Sequence, residues 1–186
     1  DSGHVRVYDY IEGRSPKEWE QLGSDINGEG NFDWSGYSVS LNANGTIVAI
    51  GAPYHDNNGS NRGHVEVYEY TNNDWQQMGS DIYGENAGDR AGHCVSISDD
   101  GLIVAVGALY NDNINGNDFG HVSVYDYVEG RNPEWQQIGS DINGEAPSDR
   151  SGWSVSLSGN GNIVAIGSAS NIGDNIGYGT GHVRVY

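Results

Sequence analysis

Apolar and polar positions alternate along this chain in short runs and never settle into a helical spacing. In SGYSVSL, which begins at Ser35, Tyr37, Val39 and Leu41 alternate with Gly36, Ser38 and Ser40. That period of two is what a strand shows when its two faces meet different surroundings. GHVRVYDY, from Gly3, sets Val5 and Val7 opposite His4, Arg6 and Tyr8 in the same way. IVAIGA at 47–52 is apolar throughout, the mark of a strand covered on both sides. WEQLGSDINGE, from Trp19, is the most polar run and suits an outer edge. Almost no helix is expected.

Each run recurs. The pattern GHVxVY begins at Gly3, Gly63, Gly120 and Gly181, in steps of 60, 57 and 61 residues. The tryptophan run returns at Trp75 and Trp135, the serine run as AGHCVSI at 91 and SGWSVSL at 151, and the apolar run as IVAVGA at 103 and IVAIGS at 163. From each tryptophan to the end of the apolar run the spacing is constant, so length varies only before GHV and before the tryptophan, which marks both places as tolerant loops. Asn44-Gly45, Asp100-Gly101 and Asn160-Gly161 separate the serine and apolar runs and predict hairpins with both central residues at positive φ.

The fold expected is all-β: a single repeat domain over 1–186, built of four-stranded antiparallel units of about 60 residues in the manner of β-propeller blades. Cut at the GHV motif, the repeats run 3–62, 63–119 and 120–180, and 181–186 opens a further one. The glycine and serine strand is expected at the axis and the tryptophan strand at the rim. A closed ring ordinarily has roughly four to eight blades. Three repeats and one extra strand therefore predict a portion of a larger propeller or tandem array.

SGYSVSL, a short turn, IVAIGAP, a loop and GHVEVYEY together resemble the FG-GAP repeat of integrin α-subunit β-propellers and related extracellular repeat proteins. The resemblance spans nearly the whole chain and recurs three times. The family's GAP element is complete only at Gly51, Ala52 and Pro53, and its phenylalanine-glycine pair is replaced by Ser35-Gly36, Ala91-Gly92 and Ser151-Gly152. In that family a calcium loop of the form D-x-D-x-D-G often joins the first two strands of a blade. Here the same place holds SLNANG, SISDDG and SLSGNG, with Asp99 and Asp100 as the only carboxylates. A hard cation wants roughly six to eight oxygens, so that calcium site is expected to be lost.

Charge narrows the partners. With 26 acidic against 8 basic residues the formal net charge is -18, which repels phosphates and argues against nucleic acid or an anionic membrane. Cations, glycans and proteins remain, and solubility alone is the competing explanation of such acidity. No run reaches the roughly 18 apolar residues of a spanning helix, and DSGHVRVYDY has neither the basic start nor the apolar centre of a signal peptide. The single cysteine, Cys94, stands where other copies have Ser38 and Ser154, and is expected to be a small packed residue.

Candidate sites fall into three groups. The asparagine-rich loops before the GHV motif offer Asp56 and Asn58, then Asp112, Asn113, Asn115 and Asp118, then Asp174, as oxygen ligands for Ca2+; a solvated turn is the competing reading. Asp33, Asp89 and Asp149, each four residues after a glutamate (Glu29, Glu85, Glu145), recur in every copy and point either to a ligand contact or to turn chemistry. Trp34 and Trp153 could stack on sugar rings; Trp153 aligns with Tyr37 and His93, Trp34 with Arg90 and Arg150. Trp19, Trp75 and Trp135 hold a fixed repeat position and are expected to be packing anchors.

His4, His64, His121 and His182 follow the repeat glycines and are expected to be structural, and no nucleophile, base and orienting group stand together in the sequence. The function expected is a non-enzymatic module for structural assembly, adhesion or protein recognition, with a carbohydrate-binding propeller as the alternative. The resemblance implies an extracellular or cell-surface setting. Expected partners are a protein or glycan, neighbouring repeats or a second copy, with no membrane insertion.

Overall fold

Each predicted run forms a strand that pairs antiparallel with its neighbour in the chain. The computed structural model describes residues 2–13, 18–56, 60–112, 118–170 and 181–186, and among them there are strands and turns but no helix. The strands are β1 (His4–Ile11), β2 (Glu18–Asn27), β3 (Ser38–Leu41), β4 (Ile47–Ala52), β5 (His64–Thr71), β6 (Asp74–Gln77), β7 (Ile82–Tyr83), β8 (Ala91–Ile97), β9 (Ile103–Ala108), β10 (His121–Val128), β11 (Glu134–Gln137), β12 (Ile142–Asn143), β13 (Ser151–Leu157), β14 (Val164–Ser168) and β15 (His182–Val185). They make four sheets: β1-β2, β3-β4-β5-β6 with β7 also on β5, β8-β9-β10-β11 with β12 also on β10, and β13-β14-β15.

A complete sheet therefore starts at the serine strand and ends at the tryptophan strand, as the polar character of the latter requires. Repeats cut at GHV straddle two sheets. The C-terminal GHVRVY strand, β15, pairs with β14 and is the third strand of the last sheet.

Two local expectations change. In the hairpin between β3 and β4, the N–H of Gly45 donates to Asn42 C=O at 3.1 Å, and Gly45 has φ of 72° while Asn44 is not left-handed. The turns at Gly101 and Gly161 are the same, so the loop is an ordinary turn followed by one left-handed glycine, a common longer hairpin connection. The tryptophan run is also divided in two of its three copies, into β6 and β7 and into β11 and β12. The interruption contains Gly79 or Gly139, each at positive φ; Gly23, at the same place in the continuous β2, is left-handed too, and there the ladder shows only a register shift between Val5 and Val7.

Hydrophobic cores lie between successive sheets. Val48 and Ile50 on one face of β4 join Val5, Val7, Ile26 and Trp75 in the first layer. Ile47 and Ala49, on the other face, join Val65, Val67, Val95, Ile97, Val104 and Val106 in the second. The third layer gathers Ala105, Val122, Val164 and Ile166. The apolar runs of β4 and β9 thus bury both faces, as their unbroken composition predicts, whereas β14 in the last sheet is fully buried on one face only.

Position in the succession decides exposure. Val95 is 6% exposed, whereas its counterpart Val39 is 54% exposed because β1-β2 has no serine strand to cover it. At the other end Val183 is 70% exposed while its counterpart Val65 is fully buried. The tryptophans behave likewise: the indole N–H of Trp75 donates to Leu22 C=O and that of Trp135 to Met78 C=O, both at 2.8 Å, each reaching the preceding sheet. Trp19 belongs to the first sheet and is 66% exposed.

The serine strands are where adjacent sheets come closest. Gly92 has φ of 83°, and a Cβ there would lie 3.0 Å from Gly51 Cα and would also overlap His64 C=O. Gly152 stands in the same relation to Gly107. Side chains then bridge the narrow gap: Ser38 donates to Gly92 C=O at 2.8 Å, Ser40 accepts from the Ile97 N–H at 3.2 Å, and Ser96 accepts from the Leu157 N–H at 2.9 Å. Cys94 fills the serine place, 3.3 Å from the Val155 N–H, and burial raises its thiol pKa, which suits a packing role.

Truncating the double-sided strand tests this layering. Ile50→Ala, at a fully buried site, is expected to lower unfolding free energy by about 2–5 kcal/mol in urea denaturation. Ile163→Ala, at a residue half exposed on the last sheet, is expected to cost clearly less. Equal losses would contradict the layered core.

Candidate functional site

The linker entering each serine strand makes the same turn in all three copies. Trp34, Arg90 and Arg150 occupy left-handed backbone conformations, with φ of 58°, 56° and 53°. Their carbonyls accept the N–H of Tyr37, His93 and Trp153, at 3.0, 3.2 and 3.2 Å. A bulky residue pays roughly 1–2 kcal/mol for this conformation, so it persists only where its surroundings hold it.

Buried aspartates do the holding. Asp33 Oδ2 accepts the Gly30 N–H at 2.8 Å, Asp89 Oδ2 the Asn86 N–H at 2.7 Å, and Asp149 Oδ2 the Ala146 N–H at 2.8 Å. Their main-chain carbonyls accept the N–H of Tyr54, Tyr110 and Ser170, at 3.3, 3.3 and 3.4 Å, and so pin the linker to the segment leaving the apolar strand. Of the two readings of Asp33, Asp89 and Asp149, ligand contact or turn chemistry, these bonds are those of turn chemistry. All three are buried, because a carboxylate that caps an inward turn is withdrawn from the surface.

What these turns place side by side is a strip of aromatic and cationic side chains along one end of the serine strands. Trp34 and Tyr54 have ring centroids 4.5 Å apart, and Arg90 stacks 4.8 Å from Tyr54 and 4.4 Å from Tyr110, with Arg150 beyond at 5.4 Å from Tyr110. Alongside runs a second row: Tyr37 lies 5.0 Å from His93, its hydroxyl 3.2 Å from His93 Nε2, and His93 lies 5.5 Å from Trp153. Trp34, Tyr37 and Trp153 are 50%, 46% and 46% exposed. The strip crosses three sheets and combines flat apolar faces with guanidinium groups in a chain that is otherwise strongly acidic.

Trp34 and Trp153, both singled out by sequence, thus sit at either end of one surface. Tyr54, Arg90, Tyr110 and Arg150 were missed; the available signal was that Arg90 and Arg150 share the repeat position of Trp34.

The oxygen-rich loops are distributed differently. Asp56 Oδ1 accepts the Asn61 N–H at 2.7 Å and Asp112 Oδ1 the Asp118 N–H at 2.8 Å, so both aspartates close the base of a loop. Asn58, Asn113, Asn115 and Asp174 lie outside the described residues. Among the described residues, Asp56, Asp112 and Asp118 do not gather with other metal-ligating side chains in a group of three.

Comparison with known proteins agrees with this architecture. Residues 27–68, from the end of β2 into β5, match the family described as FG-GAP repeat. The corresponding blocks recur at 83–125 and 143–186. No curated protein matches the chain. Among solved structures, the chain is similar to one from Bacteroides uniformis provisionally described as a 6-phosphogluconolactonase, with 11% identity and a TM-score of 0.52. That alignment takes in 98% of this chain but 47% of the other, so the chain spans about half that structure's length. At this identity the likeness concerns the fold alone: a succession of antiparallel sheets.

His93 reports on the strip. Its partial burial, and then the charge of Arg90, disfavour the imidazolium and lower its pKa from the ordinary histidine range. The unfolded chain, with the higher pKa, takes up the proton first. This contribution to stability is therefore complete above the unfolded value and declines as pH falls toward the folded one. Arg90→Gln is expected to raise the His93 midpoint in an NMR titration; an unchanged or lower midpoint would contradict the assigned cause.

Proposed function

We propose that this FG-GAP repeat chain is a non-enzymatic recognition module of β-propeller type, extracellular or at the cell surface, whose partner docks on the strip from Trp34 to Trp153. The observation that carries the reading is the continuous row across three sheets in which exposed Trp34, Tyr37 and Trp153 are joined through half-buried Tyr54, Arg90, Tyr110 and Arg150, since these residue types dominate the energetics of protein interfaces. Arg90 and Arg150 are two of only 8 basic residues in the chain, so the strip suits a partner that offers acidic as well as apolar side chains. Inner-strand hydroxyls are engaged across the sheet gaps, as with Ser38, Ser40 and Ser96, which supports a scaffold role for them and not a nucleophilic one.

The two end faces support a place within a longer array. Val39 and Leu41 on the first side, and Val183 and Val185 on the last, are exposed where their counterparts in the middle of the succession are covered by a neighbouring sheet. Further blades or a second copy would cover them in the same manner.

Carbohydrate binding is the second reading. Trp153 stands on the wall of an open cavity of about 440 Å³ with Ser154, Ser168 and His182, an aromatic wall beside hydroxyl and imidazole groups. The comparison of wild type with Trp34→Ala and Trp153→Ala separates the possibilities. Saturable binding to extracellular proteins is expected to weaken about 30-fold or more in Trp34→Ala, in keeping with a hot-spot loss of roughly 2 kcal/mol. Glycan-array binding lost in Trp153→Ala would favour the second reading, and variants that bind everything as wild type does would overturn both.

A further inference from the structure

We infer that the gap between the first and second sheets holds a binding site for one divalent transition-metal ion of the zinc type, formed by Glu29, His55 and His64. These residues come from three places: the linker after β2, the segment after β4, and the first position of β5. One ligand atom from each lies within 4.8 Å of the others, and the two imidazole centroids are 4.0 Å apart. Two imidazoles and a carboxylate are the donors that borderline divalent metals favour, whereas Ca2+ and Mg2+ prefer all-oxygen sites. Zinc bonds of about 2.0–2.2 Å would require the donors to draw inward, and the exposed Glu29 side chain is free to turn.

Three further features point to a cation. His55 donates its Nδ1–H to Asp33 Oδ2 at 2.8 Å, and that carboxylate is itself buried. The bond leaves Nε2 as the lone-pair nitrogen, the carboxylate–histidine pairing that orients metal ligands. His64 is 1% exposed, yet its Nδ1 has no hydrogen-bond partner. Glu66, also 1% exposed, has an unpartnered Oε2 lying 3.6 Å from His64 Nε2. A buried carboxylate is costly unless an opposite charge balances it, and a divalent ion would balance Glu29 and Glu66 together.

The equivalent gap one sheet later serves as an internal contrast. Glu85 and His121 repeat Glu29 and His64, but Asn111 stands where His55 is, and the third member of that group is Asp141. Asp141 Oδ1 already accepts the Ser123 hydroxyl at 2.6 Å and a Gln137 amide N–H at 2.7 Å. With one imidazole in place of two, this gap is the weaker site for a metal of that class.

Equilibrium dialysis of the chelator-stripped full chain against ZnCl2 tests the inference, with circular dichroism to confirm that each variant is folded. One tight equivalent of zinc is expected, weakened about 10-fold or more by His55→Ala, Glu29→Gln and Asp33→Asn, and unchanged by Glu85→Gln. Co2+ in place of zinc is expected to give visible ligand-field bands that His55→Ala abolishes. Absence of a tight equivalent in wild type would overturn the inference. So would its retention in both folded His55→Ala and Glu29→Gln, neither of which changes a fully buried residue.

Discussion

The close approach of the serine strands is the constraint from which the rest of this structure follows. Adjacent sheets can meet there only because Gly51 faces Gly92 and Gly107 faces Gly152, with no Cβ between the backbones. The left-handed conformation of Gly92 and Gly152 brings the next strand in at the required angle. Once the backbones are that near, a single hydroxyl suffices to bridge them, and Ser38, Ser40 and Ser96 each do so. Further out the gap widens enough for Val, Ile and Trp side chains, and the interlayer cores fill it.

Two consequences of that geometry bear on function. The linker into each serine strand must turn sharply to deliver the glycine, which forces Trp34, Arg90 and Arg150 into left-handed conformations and brings their side chains together at the mouth of the gap. The aspartates that cap the turn also hold the tyrosines of the segment leaving the apolar strand, through the Tyr54 and Tyr110 N–H groups. The aromatic and cationic strip and the scaffold therefore share the same backbone. The histidines at the start of β5 and β10 lie in the polar part of the same gaps, which is why their surroundings repeat from sheet to sheet while one key neighbour changes from His55 to Asn111.

Much of the architecture was legible in the residues. Alternation identified the serine and GHV strands, unbroken apolarity identified the apolar strands β4, β9 and β14, of which β4 and β9 are covered on both sides, and polarity put the tryptophan strand at the edge. The turn type was misjudged at Asn44-Gly45 because the dipeptide fits two hairpin geometries that differ only in which residue is left-handed. The break in the tryptophan strand was missed because Gly79 and Gly139 look like ordinary strand glycines until the ladder is seen to part around them. Trp34 and Trp153 were legible as candidates because neither has the same residue at its repeat positions. Tyr54 and Arg90 were not, since their significance lies in stacking between residues 36 positions apart.

By itself the sequence determined which residues form strands, which side of each strand is apolar, and where the chain repeats, because period-two patterning and glycine placement act locally. Tertiary structure alone decided which side chains share a layer. Period two assigns a residue to a face but not to a height, and neighbours across a sheet gap are brought level only by the pairing register and the glycine contacts. Hence Asp33 is buried while Trp34 next to it is exposed, and Glu29, His55 and His64 meet although no spacing in the chain announces it.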